Sequence, residues 1–235
     1  RINNRINNRI NNRINNRINN NSKNIFWTGG YDSTFRVCEL LIVYKMSVQP
    51  IYISYNLDSL NETDTWVRKN KKHEINAMDR IRRILNIRFP YTKQLLKDTI
   101  YINNNRINKR YNEKFLGLNL WPLKRKNHQY NHLGKISFTK KKYIETGVLG
   151  LHKYSKFSRY IARHINPDYT LNVNKDNPIH YLSFPLYNRS KKQLCKIAKK
   201  YNFNDIIQTS WSCWFPIMNE PCKNCPMCKE RFECS

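Results

Sequence analysis

Residues 28–34 combine two glycines with hydroxyl and carboxylate side chains, directly after a short apolar run. The stretch reads Phe26-Trp27-Thr28-Gly29-Gly30-Tyr31-Asp32-Ser33-Thr34. Two glycines at a strand-to-helix turn allow a positive φ and the close approach of a ligand to the backbone. The N–H groups at the start of the next helix favour an anion, and the hydroxyls of Thr28, Ser33 and Thr34 add donors. The pattern therefore predicts a phosphate-binding turn.

The carboxylate of Asp32 restricts how this turn can work. A bare carboxylate does not bind a phosphate, so we expect Asp32 to act through Mg²⁺ or as a helix cap. The turn is not a Walker-type loop, because the pattern Gly-x-x-x-x-Gly-Lys-Ser/Thr does not occur in the sequence. The alternative is a purely structural turn before a capped helix. The apolar run before the glycines and the Asp-Ser-Thr after them favour the binding interpretation.

A second group of residues with metal chemistry lies near the end of the sequence. Four cysteines follow the spacing Cys213-x8-Cys222-x2-Cys225-x2-Cys228. Four thiolates at about 2.3 Å satisfy tetrahedral Zn²⁺ without an open position, which indicates a structural site. The alternatives are an iron–sulfur cluster, free thiols or disulfides. Lys223, Lys229 and Arg231 would offset the negative charge of the thiolates, and Cys234 would be a spare ligand.

The elements that must position the turn alternate between strands and helices. We predict strands at residues 24–27, 50–55 and 86–89, and helices from Asp32 or Ser33 to about Tyr44 and over residues 64–85. Phe35, Cys38, Leu41 and Ile42 share one face of the first helix, and Ile75, Met78, Ile81 and Leu85 share one face of the second. The order βαβαβ predicts a parallel sheet with right-handed crossovers.

The second half of the chain is harder to interpret. Residues 97–142 are polar and basic and are treated as an insertion, and residues 143–151 fit a helix end or a short strand. We predict a strand at 180–184 and a basic amphipathic helix over 190–201 with Leu194, Ile197, Ala198 and Tyr201 inward. The predicted domains are therefore a disordered tail (1–22), an α/β nucleotide-binding domain (23–208) and a zinc-binding segment (209–235).

The composition is that of a strongly basic globular protein. The 235 residues carry a formal charge of +27, and the hydrophobic and aromatic fractions of 40% and 13% are sufficient for a packed core. Residues 1–20 repeat Arg-Ile-Asn-Asn five times and are expected to be disordered, with the repeat's role as a nucleic-acid-binding arm left open. There is no apolar run of about 18 residues and no secretory leader, so we expect a cytoplasmic protein without a membrane partner.

The two motifs together resemble the 7-cyano-7-deazaguanine synthase (QueC) family of PP-loop ATP pyrophosphatases. The PP-loop resemblance rests on residues 28–33, where Thr28 replaces the usual Ser, and the family resemblance rests on Ser212-Cys213-Trp214 and the following Cys-x2-Cys-x2-Cys. The resemblance implies an open parallel sheet with helices on both faces, similar to the Rossmann-like adenine nucleotide alpha hydrolase fold. It also implies ATP, Mg²⁺ and Zn²⁺ as cofactors, with 7-carboxy-7-deazaguanine and ammonia as substrates and a homodimer as an open alternative.

The same resemblance implies roles for named residues. Asp32 and Ser33 would be catalytic, and Cys213, Cys222, Cys225 and Cys228 would hold zinc. The end of the second strand, at residues 53–55, would face the adenine. The nucleotide would be bound by the stretch that starts at the end of the first strand, namely Trp27, Thr28, Gly29, Gly30, Tyr31, Asp32, Ser33, Thr34, Phe35, Arg36 and Val37.

One departure from the family keeps other functions open. The family carries a Tyr-Pro-Asp-containing stretch after a central glycine, whereas here Gly147 and Gly150 precede Leu-His-Lys-Tyr-Ser at 151–155 without an acid. A related branch could act on another carboxylate. The high positive charge suggests a second class, a PP-loop enzyme that modifies tRNA bound through a basic surface. A third is an inactive relative that binds nucleic acid.

Overall fold

A computed structural model describes residues 22–54, 70–103, 129–150, 156–229 and 231. The repeat at 1–20, residues 151–155 and Cys234, all of which the sequence analysis singled out, lie outside these ranges. None of the helices within them is both long and apolar enough to cross a membrane.

The described elements alternate for most of the chain. They are, in order, β1 (Lys23–Phe26), α1 (Tyr31–Cys38), β2 (Val48–Ser54), α2 (Lys71–Arg88), α3 (Thr92–Leu95), β3 (Ile100–Asn103), α4 (Gln129–Lys140), β4 (Ile144–Glu145), α5 (Lys156–His164), β5 (Leu182–Ser183), α6 (Lys191–Lys200), α7 (Asn204–Gln208) and α8 (Pro226–Lys229). A π-helical turn, Glu39–Val43, continues α1.

The five strands form one parallel sheet in the order β3-β2-β1-β4-β5. In β1, Ile25 faces one apolar cluster and Phe26 faces the other. The first cluster takes its helical members from α1, α2, α6 and α7. The second takes them from α4 and α5, including Ile136, Phe157 and Ile161. The predicted open parallel sheet with helices on both faces is therefore confirmed.

The helical predictions hold where the apolar spacing is strong. Phe35, Cys38, Leu41 and Ile42 are all buried, as are Met78, Ile81 and Leu85. Helix α6 begins after Ser190, whose side chain accepts from the N–H of Gln193 in a capping box. Tyr201 was predicted to face inward but is 37% exposed, because it follows the last residue of the helix.

The predicted position of the third strand was wrong. The strand is not at 86–89, because α2 continues through Arg88; it is β3, which pairs with β2 from Ile51↔Ile100 to Ser54↔Asn103. The segment 97–142, predicted as a basic insertion, contains β3 of the sheet and the whole of α4, which lies in the layer that covers it. Polar residues dominate this segment and hide both elements, since β3 is an edge strand with mostly exposed side chains.

Candidate nucleotide site and cysteine cluster

The predicted phosphate turn lies where the order of the sheet reverses. β1 is flanked by β2 on one side and by β4 on the other. The chain leaves β1 through residues 27–30 and enters α1 at Tyr31. In open α/β sheets, ligands bind in the crevice at the carboxyl ends of the strands at this switch point. The turn therefore lies where such a fold binds ligands.

Gly29 is required by the shape of the turn. Its φ is +70°, a conformation that residues with a Cβ rarely adopt. A Cβ built on Gly29 would also lie 2.8 Å from the backbone oxygen of Glu74 in α2 and 3.2 Å from Ala77 Cβ. The turn is thus pressed against α2, and only glycine fits there without displacing the helix.

Gly147, which follows β4, allows a second segment of backbone to contact the same turn. A Cβ on Gly147 would lie 2.6 Å from the backbone nitrogen of Ser33. The segment after β4 therefore contacts the first turn of α1 directly. Gly147 was predicted only as part of the region that departs from the family pattern. Its position after a segment that fitted either a short strand or a helix end gave no signal of this contact.

The hydroxyl and carboxylate residues of the turn differ in their surroundings. Helix α1 begins at Tyr31 with Gly30 at the N-cap position, so the prediction that Asp32 or Ser33 caps the helix was wrong. Asp32 lies in the first turn, and Ser33 donates from Oγ to the oxygen of Gly30 (3.2 Å). Thr28 Oγ1 accepts from the Gly30 N–H (3.4 Å).

Five residues in the predicted nucleotide-binding stretch have side chains engaged elsewhere. Trp27, Phe35 and Val37 are fully buried in the first apolar cluster. Trp27 Nε1 donates to Thr34 Oγ1 at 3.1 Å, which ties the fully buried Thr34 hydroxyl to the core. Arg36 is buried in ion pairs. The predicted stretch therefore narrows to residues 28–33 for direct side-chain contact with a ligand.

The ion pairs of Arg36 connect α1 to the sheet. Its guanidinium donates to both carboxylate oxygens of Glu145 in β4 (2.7 and 3.1 Å) and to Glu39 (2.6 Å), and Arg189 also donates to Glu39. Burial opposes the charge of Arg36, but the hydrogen bonds and charges of Glu145 and Glu39 raise its pKa. The network fixes α1 against β4, and hence the turn against the crevice.

Tyr31, the first residue of α1, is buried beside the turn. Burial, followed by the nearby carboxylate of Asp32, raises the pKa of Tyr31 to about 12, and the charge of Arg231 opposes this. Lys191 Nζ lies 5.8 Å from the centre of its ring. Two cationic side chains, Lys191 of α6 and Arg231 after the last clustered cysteine, therefore act on the start of α1.

The four predicted metal-binding cysteines lie together, as expected. The sulfurs of Cys213, Cys222, Cys225 and Cys228 all lie within 4.8 Å of one another, and Cys222 Sγ and Cys228 Sγ are 3.9 Å apart. A tetrahedron with metal–sulfur bonds of about 2.3 Å has sulfur–sulfur edges of about 3.8 Å. The four sulfurs would therefore fit a four-coordinate metal ion after moving slightly closer together.

The surroundings of the sulfurs also favour a bound cation. The backbone N–H groups of Asn224 and Cys225 lower the pKa of Cys222 to about 6. Burial raises the pKa of Cys213 and of Cys228, the latter to about 12. The backbone thus favours the thiolate of Cys222, whereas burial opposes the thiolates of Cys213 and Cys228, which a metal cation among the sulfurs would stabilise.

The segment that carries Cys213 also contacts the phosphate turn. The Trp211 N–H donates to the oxygen of Gly29 at 2.8 Å, and its ring stacks on His73 of α2 with centroids 4.3 Å apart and an interplanar angle of 14°. Asn70 Nδ2 donates to the oxygen of Cys213 and to Glu74 Oε1, both at 3.0 Å. Asn70 was not predicted as part of the site, because an asparagine before a helix has no distinctive signal.

Two cavities in the described ranges lie away from the turn. One of about 510 Å³ is lined by Arg88, Lys199, Asn202, Asn204 and Asp205, and one of about 220 Å³ includes Arg36 and Arg189. The candidate nucleotide site therefore rests on the glycine turn and on its place at the switch point of the sheet. Neither cavity coincides with it.

Comparison with known proteins identifies the family. A model of the queuosine biosynthesis protein QueC matches residues 25–234. No curated protein sequence matches the chain significantly. Among solved structures, the U34-tRNA thiolase NcsA from Methanococcus maripaludis with its 4Fe–4S cluster is similar with a TM-score of 0.39 and 12% identity, covering 86% of this chain. The chain spans 62% of the length of that thiolase. Because the family match covers both the glycine turn and the four clustered cysteines, the chain belongs to the queuosine biosynthesis protein QueC family.

Proposed function

We propose that this chain is an ATP-dependent carbon–nitrogen ligase that converts a deazapurine carboxylic acid, 7-carboxy-7-deazaguanine or a close relative, into the corresponding nitrile with ammonia. The observation that carries the proposal is the glycine turn at the switch point of the sheet, pressed between Glu74 and Gly147. Such a turn offers backbone N–H groups and a helix start to phosphates. The family match over residues 25–234 supports the acid as the acceptor.

The proposed chemistry proceeds by two activations. The substrate carboxylate attacks the α-phosphorus of ATP, which gives an acyl adenylate and releases pyrophosphate. Ammonia attacks the activated carbonyl carbon and displaces AMP, leaving the amide and a proton. The amide oxygen then attacks the α-phosphorus of a second ATP and displaces a second pyrophosphate. Loss of AMP and of the two N–H protons from that adduct gives the nitrile. Both steps depend on positioning and on stabilising the phosphorus transition state.

Residues of the turn take defined roles in this proposal. The start of α1 and the backbone of residues 29–31 hold the leaving pyrophosphate, with the Ser33 and Thr28 hydroxyls beside it. Asp32, in the first turn of α1, carries Mg²⁺, which neutralises the phosphate charge when bound. Lys191 and Arg231, the cations near Tyr31, add positive charge at the same end of the helix.

Zinc is the metal that we propose for the four cysteines. Two of the four are buried and two are half-buried, and all four protein ligands are thiolates, which leaves no position for substrate. The ion is thus proposed as structural. Iron bound to the same sulfurs would give a brown protein with absorbance near about 400 nm, whereas zinc gives a colourless one.

The experiment that tests the proposal is mass spectrometry of the products formed from ATP, Mg²⁺, ammonia and 7-carboxy-7-deazaguanine. We expect the amide and then the nitrile, each dependent on ATP. Asp32→Asn should lower product formation at least about 100-fold, since removing one electrostatic stabiliser typically costs that much. Asn76→Ala, on the exposed side of α2, is the matched control and should retain full activity. Absence of any deazapurine product would reject the assigned substrate.

A PP-loop enzyme that acts on RNA is the second candidate, and the charge of +27 favours it. Lysines and arginines that neutralise phosphates release counterions and give salt-dependent affinity. This candidate requires tRNA as a partner and adenylation only when RNA is present. Turnover of the free deazapurine acid without RNA would exclude it. Substrates of either class are metabolites or RNA of the cell interior, so a cytoplasmic location belongs to both proposals.

A further inference from the structure

A short series of polar contacts through α2 joins the phosphate turn to the cysteine cluster. On one side, the Trp211 N–H donates to the oxygen of Gly29 at 2.8 Å. Trp211 lies two residues before the first cysteine of the cluster, and its Nε1 donates to the oxygen of Cys213 at 2.9 Å. A shift of Cys213 therefore moves the donor that holds the carbonyl of Gly29.

A second route of contacts between the turn and the cysteine segment passes through Asn70 and Glu74. Asn70 is 2% exposed and its amide nitrogen contacts both the oxygen of Cys213 and Glu74 Oε1 at 3.0 Å. Glu74, 7% exposed, accepts from Tyr52 OH of β2 at 2.8 Å. The carboxylate is therefore fixed to the sheet, and Asn70 links it to the cysteine segment.

Glu74 also touches the turn through its backbone. Its carbonyl oxygen lies 2.8 Å from the position of a Cβ on Gly29. The first turns of α2 thus contact both the phosphate turn and the segment that leads to the cysteines. His73, one residue earlier, stacks on Trp211. Gly29 is held from two directions, and both of these depend on where residues 211–213 lie.

From this arrangement we infer that Asn70 is a positioning residue that couples metal occupancy of the four cysteines to ATP binding at the turn. Ligation fixes the sulfur and hence the carbonyl of Cys213, and that carbonyl accepts from Asn70 and from Trp211. Without the ion, both hydrogen bonds lose a fixed acceptor and Gly29 loses its partner. The inference rests on the proposed function, because it takes ATP as the ligand of the turn.

Coupling between two sites is reciprocal, which supplies two independent measurements. Calorimetry of MgATP binding to the metal-loaded full chain and to the chelator-treated chain should show a Kd about 10-fold weaker without metal. Conversely, ATP should raise the affinity for the metal by the same factor, and we expect this gain mainly as slower release of metal to a chromogenic chelator. ATP binds metals weakly and would otherwise speed release, so slowing cannot arise from ATP acting as a chelator. The release measurement needs no metal-free protein, so it stands even if that form unfolds.

Substitution of Asn70 separates a positioning role from a general loss of structure. Asn70→Ala removes the link, so metal should be released at about the same rate with and without ATP, while the variant still binds metal and ATP. In Asn70→Asp/Glu74→Gln the pair can still hydrogen-bond to each other, but the side chain at position 70 no longer donates to the oxygen of Cys213. This double variant should also lose the coupling. The control is Asn76→Ala, an exposed asparagine on the same helix, which should keep it.

The outcomes distinguish this inference from the function on which it rests. Slowed release in the unaltered chain and its loss in both Asn70 variants would establish the coupling. ATP binding that is tight but indifferent to metal, or coupling that survives Asn70→Ala, would overturn the inference alone. Absence of ATP binding to the metal-loaded chain would overturn the proposed function and this inference with it.

Discussion

The phosphate turn and the cysteine segment lie in contact but are stabilised by different interactions. The turn is enclosed by fully buried side chains such as Trp27 and Phe35 and by the ion pairs of Arg36. In residues 211–229, the only buried side chains are those of Cys213 and Cys225. The turn therefore takes its shape from the hydrophobic core, whereas the segment, as we propose, depends on a metal ion bound by its cysteines. Two regions in contact can thus respond to different perturbations.

The largest expected effect is on the cysteine segment. Cys225→Ser should lower the bound metal from roughly one ion per chain to well below half of that, because one of four thiolate ligands is lost. Residues 211–229 should become sensitive to limited proteolysis while fragments containing β1, β2 and α2 remain resistant. Metal analysis and proteolysis followed by mass spectrometry measure both. The control is Cys38→Ala, which changes a cysteine of the core and should leave the metal content of the chain unchanged. Full metal content in Cys225→Ser would refute the proposed metal site.

The second largest effect is expected on the stability of the chain, when the ion pairs of Arg36 beside the turn are removed. Arg36→Ala leaves Glu39 and Glu145 buried without their main partner, and breaking such a pair costs about 3–5 kcal/mol. Denaturant unfolding should show that loss, and the metal content should not change. A loss below about 1 kcal/mol, the range of exposed ion pairs, would show that the network does not hold α1 against β4.

The two glycines of the turn should differ from each other. Gly29→Ala places a Cβ at φ +70° and 2.8 Å from the oxygen of Glu74, which should destabilise the chain by about 1–3 kcal/mol. ATP affinity should fall along with stability. Gly30→Ala meets its nearest atom, Thr28 Oγ1, at 3.2 Å with an ordinary φ, and should cost less than about 1 kcal/mol. Equal melting temperatures for the two variants would contradict the described turn.

The smallest effect concerns pH. The pKa of Tyr31 is raised by burial from 10.0 to about 12, so the neutral ring contributes stability that is complete below pH 10 and is lost between pH 10 and 12. The difference in unfolding free energy between the unaltered chain and Tyr31→Phe should therefore shrink or reverse across this window. Chemical unfolding at pH 8, 10 and 11 measures it. A difference that is constant with pH would mean that Tyr31 ionises as freely as an exposed tyrosine.

The sequence predicted the parts of the fold that depend on local pattern. Apolar spacing located α1, α2 and α6, and the glycine turn and the cysteine spacing located both candidate sites. β3 and α4 were missed because an edge strand has no buried alternation and because basic residues surround both elements. The end of α2 was placed too early, since Asn86, Ile87 and Arg88 interrupt neither helical nor strand patterns.

The missing parts of the site depend on contacts between distant residues. Asn70 reaches Cys213, which lies 143 residues away along the chain, and Gly147 reaches Ser33 across the gap between β1 and β4. Neither contact has a local signal. Arg36 was assigned to the nucleotide because it follows the turn, but the structure pairs it with Glu145, whose place next to β1 depends on the order of the sheet.

The most direct test of the account is phosphorus NMR of ATP incubated with the full chain, Mg²⁺, ammonia and 7-carboxy-7-deazaguanine. Attack at the α-phosphorus requires that AMP and pyrophosphate appear together and only when the acid is present. The account predicts that result, with both signals absent in Asp32→Asn. ADP and inorganic phosphate as the products, or no consumption of ATP by a metal-loaded chain, would contradict it.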